Sequence, residues 1–183
     1  MARPRAITSR SKIAEPILRT ARLLLRPARV DDLPALHAIL RDPCAMRYWS
    51  TPPHPDLKTT AAWLDSMLSR QPVTDFLIER DGIVIGKAGA WRLPEVGFLL
   101  HPDHWRQGIM REAMEAVLPF LWQASDVPFL TADVDPRNEA SLGLLRALGF
   151  AETHRATRTF CIEGEWVDSV YLALARPENL VAG

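Results

Sequence analysis

A chain of 183 residues, 48% hydrophobic and 24% charged, is long enough for one domain with its own core and needs no metal or disulfide to hold it. Its 22 basic and 22 acidic residues balance, which argues against a broad electrostatic footprint for nucleic acid or an anionic membrane surface. Cys44 and Cys161 lie far apart with no CxxC partner, the usage of a reducing, cytoplasmic compartment, and no run of about 18 apolar residues offers a membrane span.

Residues 1–17 read as a tail, 18–177 as a single domain and 178–183 as a second tail. Met1 to Ile13 carries Arg3, Arg5, Arg10 and Lys12 among Thr8, Ser9 and Ser11, with no acid before Glu15. It has no apolar h-region, so it is not a secretory signal; a transit peptide and a frayed terminus are the two readings left. Thr20 to Arg26 predicts a strand. Asp31 then predicts an N-cap, with Pro34 tolerated in the first turn and Leu33, Leu36, Ile39 and Leu40 forming one apolar face that ends at Asp42-Pro43. The Pro- and aromatic-rich stretch from Cys44 to Leu57 reads as a loop. A second helix follows, with Ala61, Leu64, Met67 and Leu68 as its buried stripe.

Asp81-Gly82, flanked by the apolar runs Phe76-Leu77-Ile78 and Ile83-Val84-Ile85, is a two-residue hairpin signal, and the second strand should run through Ala88 and Ala90 to Trp91. Glu95 to Leu100 forms the next strand. Gly108 opens a third helix with two apolar faces, one of Ile109, Ala113, Val117 and Phe120, the other of Met110, Met114, Leu118 and Leu121. The second face suits contact with something besides the sheet, and a homodimer is compatible with it. Pro119 predicts a kink or an end near Leu118. Phe129 to Val134 reads as a buried strand. Asn138 caps a fourth helix that Gly149 stops in the C′ position. Strands over His154 to Ile162 and Trp166 to Ala173, turning at Gly164, close the chain. Trp91 and Trp166 read as core residues of the sheet. The layout is α/β with a mixed, mostly antiparallel sheet of about seven strands flanked by four helices.

The segment from Glu95 to Ala113 carries the chemistry. A strand, a tight polar turn and a helix beginning at Gly108 present unpaired N–H groups and a partial positive charge, which suit a pyrophosphate. Glycine permits close backbone approach. Arg106 and Arg111 flank the turn and can add charge-assisted hydrogen bonds. Glu95, Gly97, Phe98, Leu100, Pro102, Trp105, Gly108, Glu112 and Ala113 match the pattern Glu-x-Gly-[Tyr/Phe]-x-Leu followed by Pro-x-x-Trp-Gly-x-Gly-x-Ala-x-Glu-Ala. With Asn138-x-x-Ser141, Leu148-Gly149-Phe150, the opening TARLLLRPARVDDLPAL and the RDPCAMRYW stretch, the chain resembles the GNAT acetyltransferases from about Leu18 to Ala175, especially the ribosomal-protein-alanine N-acetyltransferase branch. Arg106 stands where that branch places its first glycine, and Met110 replaces a small residue; backbone donors survive both changes.

The resemblance implies acetyl-CoA as co-substrate, no metal, and an amine acceptor, either a protein or peptide N-terminus or a small molecule such as an amino acid, polyamine or aminoglycoside. It implies that Leu99, Leu100, Arg106, Gln107, Gly108, Ile109, Met110, Arg111 and Asn138 hold the cofactor. Near Leu99 a backbone N–H of a splayed strand would meet the thioester carbonyl. Glu95 takes the place of a general base, against the plainer reading of a strand-edge acid. Leu145 stands where many relatives carry a tyrosine acid, leaving Ser141 as the available hydroxyl, one turn earlier on the same face. Ser141 as acid and Ser141 as a helper in the helix cap remain open, as do Asn138 as pantetheine ligand and as plain cap. A non-catalytic acyl-CoA-binding module is the alternative from another class. His101 and His104 lack a third ligand, so metal binding is not expected. Cys44 and Cys161 read as small buried groups. Tyr48 and Trp49 are candidates for the acceptor wall. The Arg41–Lys58 loop is not acidic, which disfavours a polycation there.

Overall fold

The computed structural model describes residues 15–178, so the basic segment Met1–Ile13 and the last five residues lie outside the described residues. In chain order the elements are β1 (Leu18–Arg19), β2 (Leu24–Arg26), α1 (Leu33–Leu40), α2 (Leu57–Leu68), β3 (Asp75–Arg80), β4 (Ile83–Arg92), β5 (Glu95–Leu100), α3 (Ile109–Gln123), β6 (Phe129–Val134), α4 (Glu139–Ala147), β7 (Ala151–Ile162) and β8 (Glu165–Ala175), with short 3-10 turns at Val30–Asp32 and Pro102–His104. The eight strands form one sheet in the order β1-β2-β3-β4-β5-β6-β8-β7. Neighbours are antiparallel except β5 and β6, which run parallel.

Helices cover both faces, which is why β3 is buried along Phe76-Leu77-Ile78 without alternation. Phe76, Ile78, Val96, Leu130 and Val170 pack with Ile109, Met114 and Leu121 of α3 and Leu142 and Leu145 of α4. Leu77, Val84 and Leu99 face the other way, onto Leu36, Ile39 and Leu40 of α1 and Leu64 and Met67 of α2. The Asp81-Gly82 turn has positive φ at both residues, 53° and 80°, as a two-residue hairpin requires. α4 begins where the Asn138 side chain accepts from the Ser141 amide and ends before Gly149 at φ 93°.

Several expectations are corrected. The predicted Thr20–Arg26 strand is interrupted: Thr20 Oγ1 accepts from the Leu23 amide and turns the chain between β1 and β2, which raises the strand count to eight. Asp31 is exposed and caps nothing. Asp32 is the buried acid, accepting two bonds from the Arg26 guanidinium at 2.7 and 2.8 Å and one from the Arg29 amide at 2.6 Å, while Arg26 also reaches Glu79. Pro119 does not end α3, which continues to Gln123. Pro119 and Glu115 both lie on the exposed side, so the Glu115 carbonyl that loses its partner faces water.

The second apolar face of α3 is not spare: Met114, Leu118 and Leu121 are buried within this chain, so that face carries no argument for a homodimer. β6 is buried on one face only, Leu130, Ala132 and Val134 pointing into the core and Thr131 and Asp133 away from it. Both cysteines are exposed, because Cys44 sits in a loop and Cys161 on the edge strand. Trp166 is half-exposed, under the guanidinium of Arg158. Trp91 is partly buried beneath Arg70.

Candidate functional site

β5 and β6 are paired at a single register position, Glu95 opposite Thr131, supported by the Thr131 amide donating to Pro94 O at 2.9 Å. Beyond it the two strands part and the sheet opens into a V. The neighbouring register shift lies in β4, where one extra residue is accommodated between Gly89 and Arg92. His101 N donates to Ile85 O in the β4–β5 register, so the odd-numbered residues of β5, Leu99 included, turn their backbone groups toward β4. The amides facing the V belong to Phe98 and Leu100. The Leu100 carbonyl on the same edge is taken by Trp105 Nε1 at 2.8 Å. A cleft of about 1170 Å³ fills the V, walled by β5, β6, the start of α3, one face of α4, the loop at 44–51 and the β7–β8 hairpin.

At one end of the cleft lies the start of α3. Gly108 occupies its N-cap with φ 72° and Arg106 adopts φ 57°, so two left-handed residues bracket Gln107 and turn successive amides toward one point. Among the described residues no group accepts from the amides of residues 106–111, and no side chain caps the helix. Arg106 holds a conformation natural to glycine, which explains the branch's glycine at this position. The side chains divide the labour. Ile109 is buried in the core, so only its amide faces the site. Met110 is half-buried at the wall. Arg111 is exposed and paired with Glu115 at 2.8 Å. Gln107 is a brace, donating to Asp103 O and accepting from Arg80.

Sequence reading missed how this turn is held. Glu112 accepts from Thr20 Oγ1 at 2.5 Å and from the Arg22 amide and Nε at 2.9 and 2.6 Å, and Arg22 Nη1 donates to Gln107 O at 2.9 Å. Burial pushes the Glu112 carboxyl up, but these bonds outweigh it and leave its pKa below the usual value.

On α4, Ser141, Leu144 and Leu145 line the cleft. Asn138 Oδ1 accepts from the Ser141 amide at 3.1 Å, so Asn138 caps the helix. The Ser141 hydroxyl has no partner among the described residues and takes no part in that cap. Leu145 is fully buried where a tyrosine acid would stand.

The opposite side of the V carries the titratable groups. Glu95, at the apex of the V, is raised above the ordinary carboxylate range by desolvation, with the Asp133 charge adding to the rise and Arg92 opposing it. Asp133 lines the same cleft and is raised by desolvation, held back by the Ser169 and Tyr171 hydroxyls and by His154, whose ring stacks on Tyr171 at 4.4 Å. Sequence reading missed Asp133. The signal available was alternation, since Thr131 and Asp133 are the polar positions of a period-two strand. Asp135 is bound to Arg137 at 2.6 Å. Tyr48 and Trp49 do line this side, and a Cβ on Gly97 would meet the Trp49 ring at 3.9 Å. His101 and His104 lie edge to face at 6.2 Å, and among the described residues no group of three His, Cys, Asp or Glu could hold a metal ion. No helix of the described residues is long and apolar enough to cross a membrane.

The profile described as "Acetyltransferase (GNAT) domain" matches residues 22–151. Spermidine N(1)-acetyltransferase of Escherichia coli K12 is 23% identical over 165 residues, covering 85% of this chain and 87% of its own length. The [Ribosomal protein uS5]-alanine N-acetyltransferase of the same organism is 28% identical over 90 residues, 49% of this chain and 46% of its own. Among solved structures, the RimL ribosomal L7/L12 alpha-N-protein acetyltransferase in complex with coenzyme A superposes with a TM-score of 0.77 at 20% identity, covering 87% of this chain and 98% of that one.

Proposed function

Because the chain belongs to the GNAT acetyltransferase family and is an acetyl-CoA-dependent N-acetyltransferase, we propose that it acetylates a primary amine, foremost the α-amine of a protein or peptide N-terminus, in the cleft between β5 and β6. One observation carries the reading: unpaired amides at the start of α3 and a carboxyl of raised pKa at Glu95 stand at two walls of one cleft, joined by the unpaired edge of β5. The turn at residues 106–108 and the α3 amides fit a pyrophosphate, with Arg106 and Arg111 adding charge, while the free edge of β5 and Asn138 suit an amide-bearing pantetheine arm. When bound, acetyl-CoA supplies the activated acetyl group.

This chain's residues do the rest. Glu95 accepts a proton from the incoming ammonium, directly or through water. The amides of Phe98 or Leu100 stabilise the oxygen that gains charge. Ser141 is the hydroxyl available to the departing sulfur. An α-amine, with a pKa near 8, asks less of a carboxyl base than a lysine amine near 10.4. Arg47, Arg92 and Arg137 at the cleft wall favour the carbonyls of a peptide over a polycation. A small polyamine is the second reading, favoured by the long alignment with the spermidine enzyme and by Glu95 and Asp133 in the cleft.

Acetyl-CoA should raise the melting temperature, since a ligand at a hundredfold excess over its Kd adds about 2.7 kcal/mol. Single-turnover transfer to a peptide with a free N-terminal alanine should exceed transfer to spermidine. Glu95→Gln should cut turnover by roughly 10²- to 10⁴-fold while keeping acetyl-CoA binding, and Ser141→Ala should slow turnover with the same binding. Binding with no transfer to any amine would leave the acyl-CoA-binding module as the correct reading.

A further inference from the structure

We infer that Asp133 is the second acceptor-side carboxyl of the site, holding the incoming ammonium across the V from Gly97 while Glu95 removes its proton. The inference rests on the acetyl-transfer reading of the same cleft and assigns a residue that reading does not need.

The placement follows from the register. Glu95 pairs with Thr131, and both strands run in the same direction. Two residues on, Gly97 and Asp133 stand at the same level of two diverging strands, about 7 Å from the last pair. Side chains at alternate positions share a face, so Glu95, Gly97 and Asp133 all point to the side of the sheet away from α3 and α4. Gly97 contributes no side chain, and the nearest atom a Cβ there would meet is the Trp49 ring. The space opposite Asp133 is therefore open and bounded by the edge of the Trp49 ring, whose face already carries the Lys87 ammonium at 5.2 Å. Asp133 lines the cleft and has no ion-pair partner among the described residues, whereas nearby Asp135 is committed to Arg137. Ser169 and Tyr171 of β8 and His154 of β7 act on Asp133, while Asp133 itself and Arg92 at the end of β4 act on Glu95 of β5.

The chemistry balances with Asp133 unchanged. The bound R–NH3+ gives one proton to Glu95. The freed lone pair forms the N–C bond to the acetyl carbon as the C–S bond breaks. The second proton leaves nitrogen for the thiolate sulfur, and Glu95 returns its proton to water. Asp133 keeps its charge throughout, which the Ser169 and Tyr171 hydroxyls support.

The test is Asp133→Asn, assayed with acetyl-CoA and a peptide carrying a free N-terminal alanine. KM for the peptide should rise roughly tenfold to a hundredfold, as for loss of a hydrogen bond to a charged group, while acetyl-CoA affinity by calorimetry stays unchanged. The acid limb of kcat/KM should also move to lower pH, because removing the Asp133 charge lets the Glu95 carboxyl fall toward its ordinary value. A purely structural role would not move that limb. If Asp133→Asn fails to fold, Asp133→Glu, which keeps the charge but displaces it, must raise KM and preserve the acid limb. Unchanged KM and an unmoved limb, with Glu95→Gln still inactive, would overturn the inference and leave the acetyl-transfer reading standing. Wild-type protein that transfers to no amine would remove both.

Discussion

Gly86 tests whether β5, one arm of the V, depends on close approach of β4. It lies on β4 opposite Leu100, and a Cβ added there would sit 2.3 Å from the Leu99 carbonyl oxygen and 3.0 Å from a Leu100 methyl. Ordinary contact begins near 3.4 Å, so Gly86→Ala must push β5 away by about 1 Å, and the obstructing atom is backbone that cannot rotate aside. Losing glycine's flexibility in the unfolded chain would stabilise by about 0.4–1 kcal/mol, but overpacking costs about 1–3 kcal/mol and more where backbone must move. The clash wins. At about 2–4 °C per kcal/mol for a chain of this size, the melting temperature should fall by roughly 3–10 °C.

The displaced segment is the one whose Phe98 and Leu100 amides face the cleft, and a 1 Å misplacement of such groups can cost about 10²-fold in rate. Calorimetric melting and single-turnover transfer, run on the same preparation, check both effects. Gly143→Ala on α4 is the control: nothing lies within 4 Å of its added methyl, and a helix interior prefers alanine, so it should stabilise by about 0.5–1 kcal/mol. A Gly86→Ala protein with wild-type melting temperature and turnover would refute both the close approach and the placement of the amides.

Arg106→Gly should melt at or slightly above the wild-type temperature, since it relieves a left-handed conformation worth about 1–2 kcal/mol and gives back part of that to unfolded-state entropy. It should also weaken acetyl-CoA binding by calorimetry through loss of one charge; Arg106→Ala, which loses the charge without relieving the backbone, should bind as weakly and melt lower. Glu112→Gln removes the ion pair that ties the β1–β2 turn to α3. Glu112 is held below its ordinary pKa in the folded protein, so its contribution is present above the unfolded value and lost as pH falls through the folded one. The melting-temperature gap between wild type and Glu112→Gln should therefore be full at pH 7 and close below about pH 4.3; a gap constant with pH would refute the charge-based brace.

Local chemistry made much of the fold legible. Asp81-Gly82, Asn138 and Gly149 each satisfy a backbone demand that a few residues can announce, and the elements they bound lie where sequence places them. The start of α3 was legible for the same reason, since Gly108 and the polar turn before it are a local arrangement. What escaped is set by contacts distant in sequence. The exposure of Cys44 and Cys161 depends on which loops and edges the sheet leaves uncovered, and a strand's pattern does not say whether it is central or terminal. Pro119 survives inside α3 because the carbonyl it strands happens to face water, a fact of docking and not of propensity. The Glu112 brace joins residues about ninety positions apart.

The site itself shows why the remainder could not be read locally. Glu95 was visible through its motif, but its raised pKa comes from desolvation by the groups around it and from Asp133, thirty-eight residues later on a different strand. Those two strands share one register position. Had their ladder continued, Phe98 and Leu100 would spend their amides on β6, and Asp133 would face a filled sheet instead of the space beside Gly97. Any substitution that extends the β5–β6 pairing should therefore gain backbone hydrogen bonds and lose acetyl transfer, because the edge groups a longer ladder would consume are the ones the pantetheine arm and the thioester oxygen require.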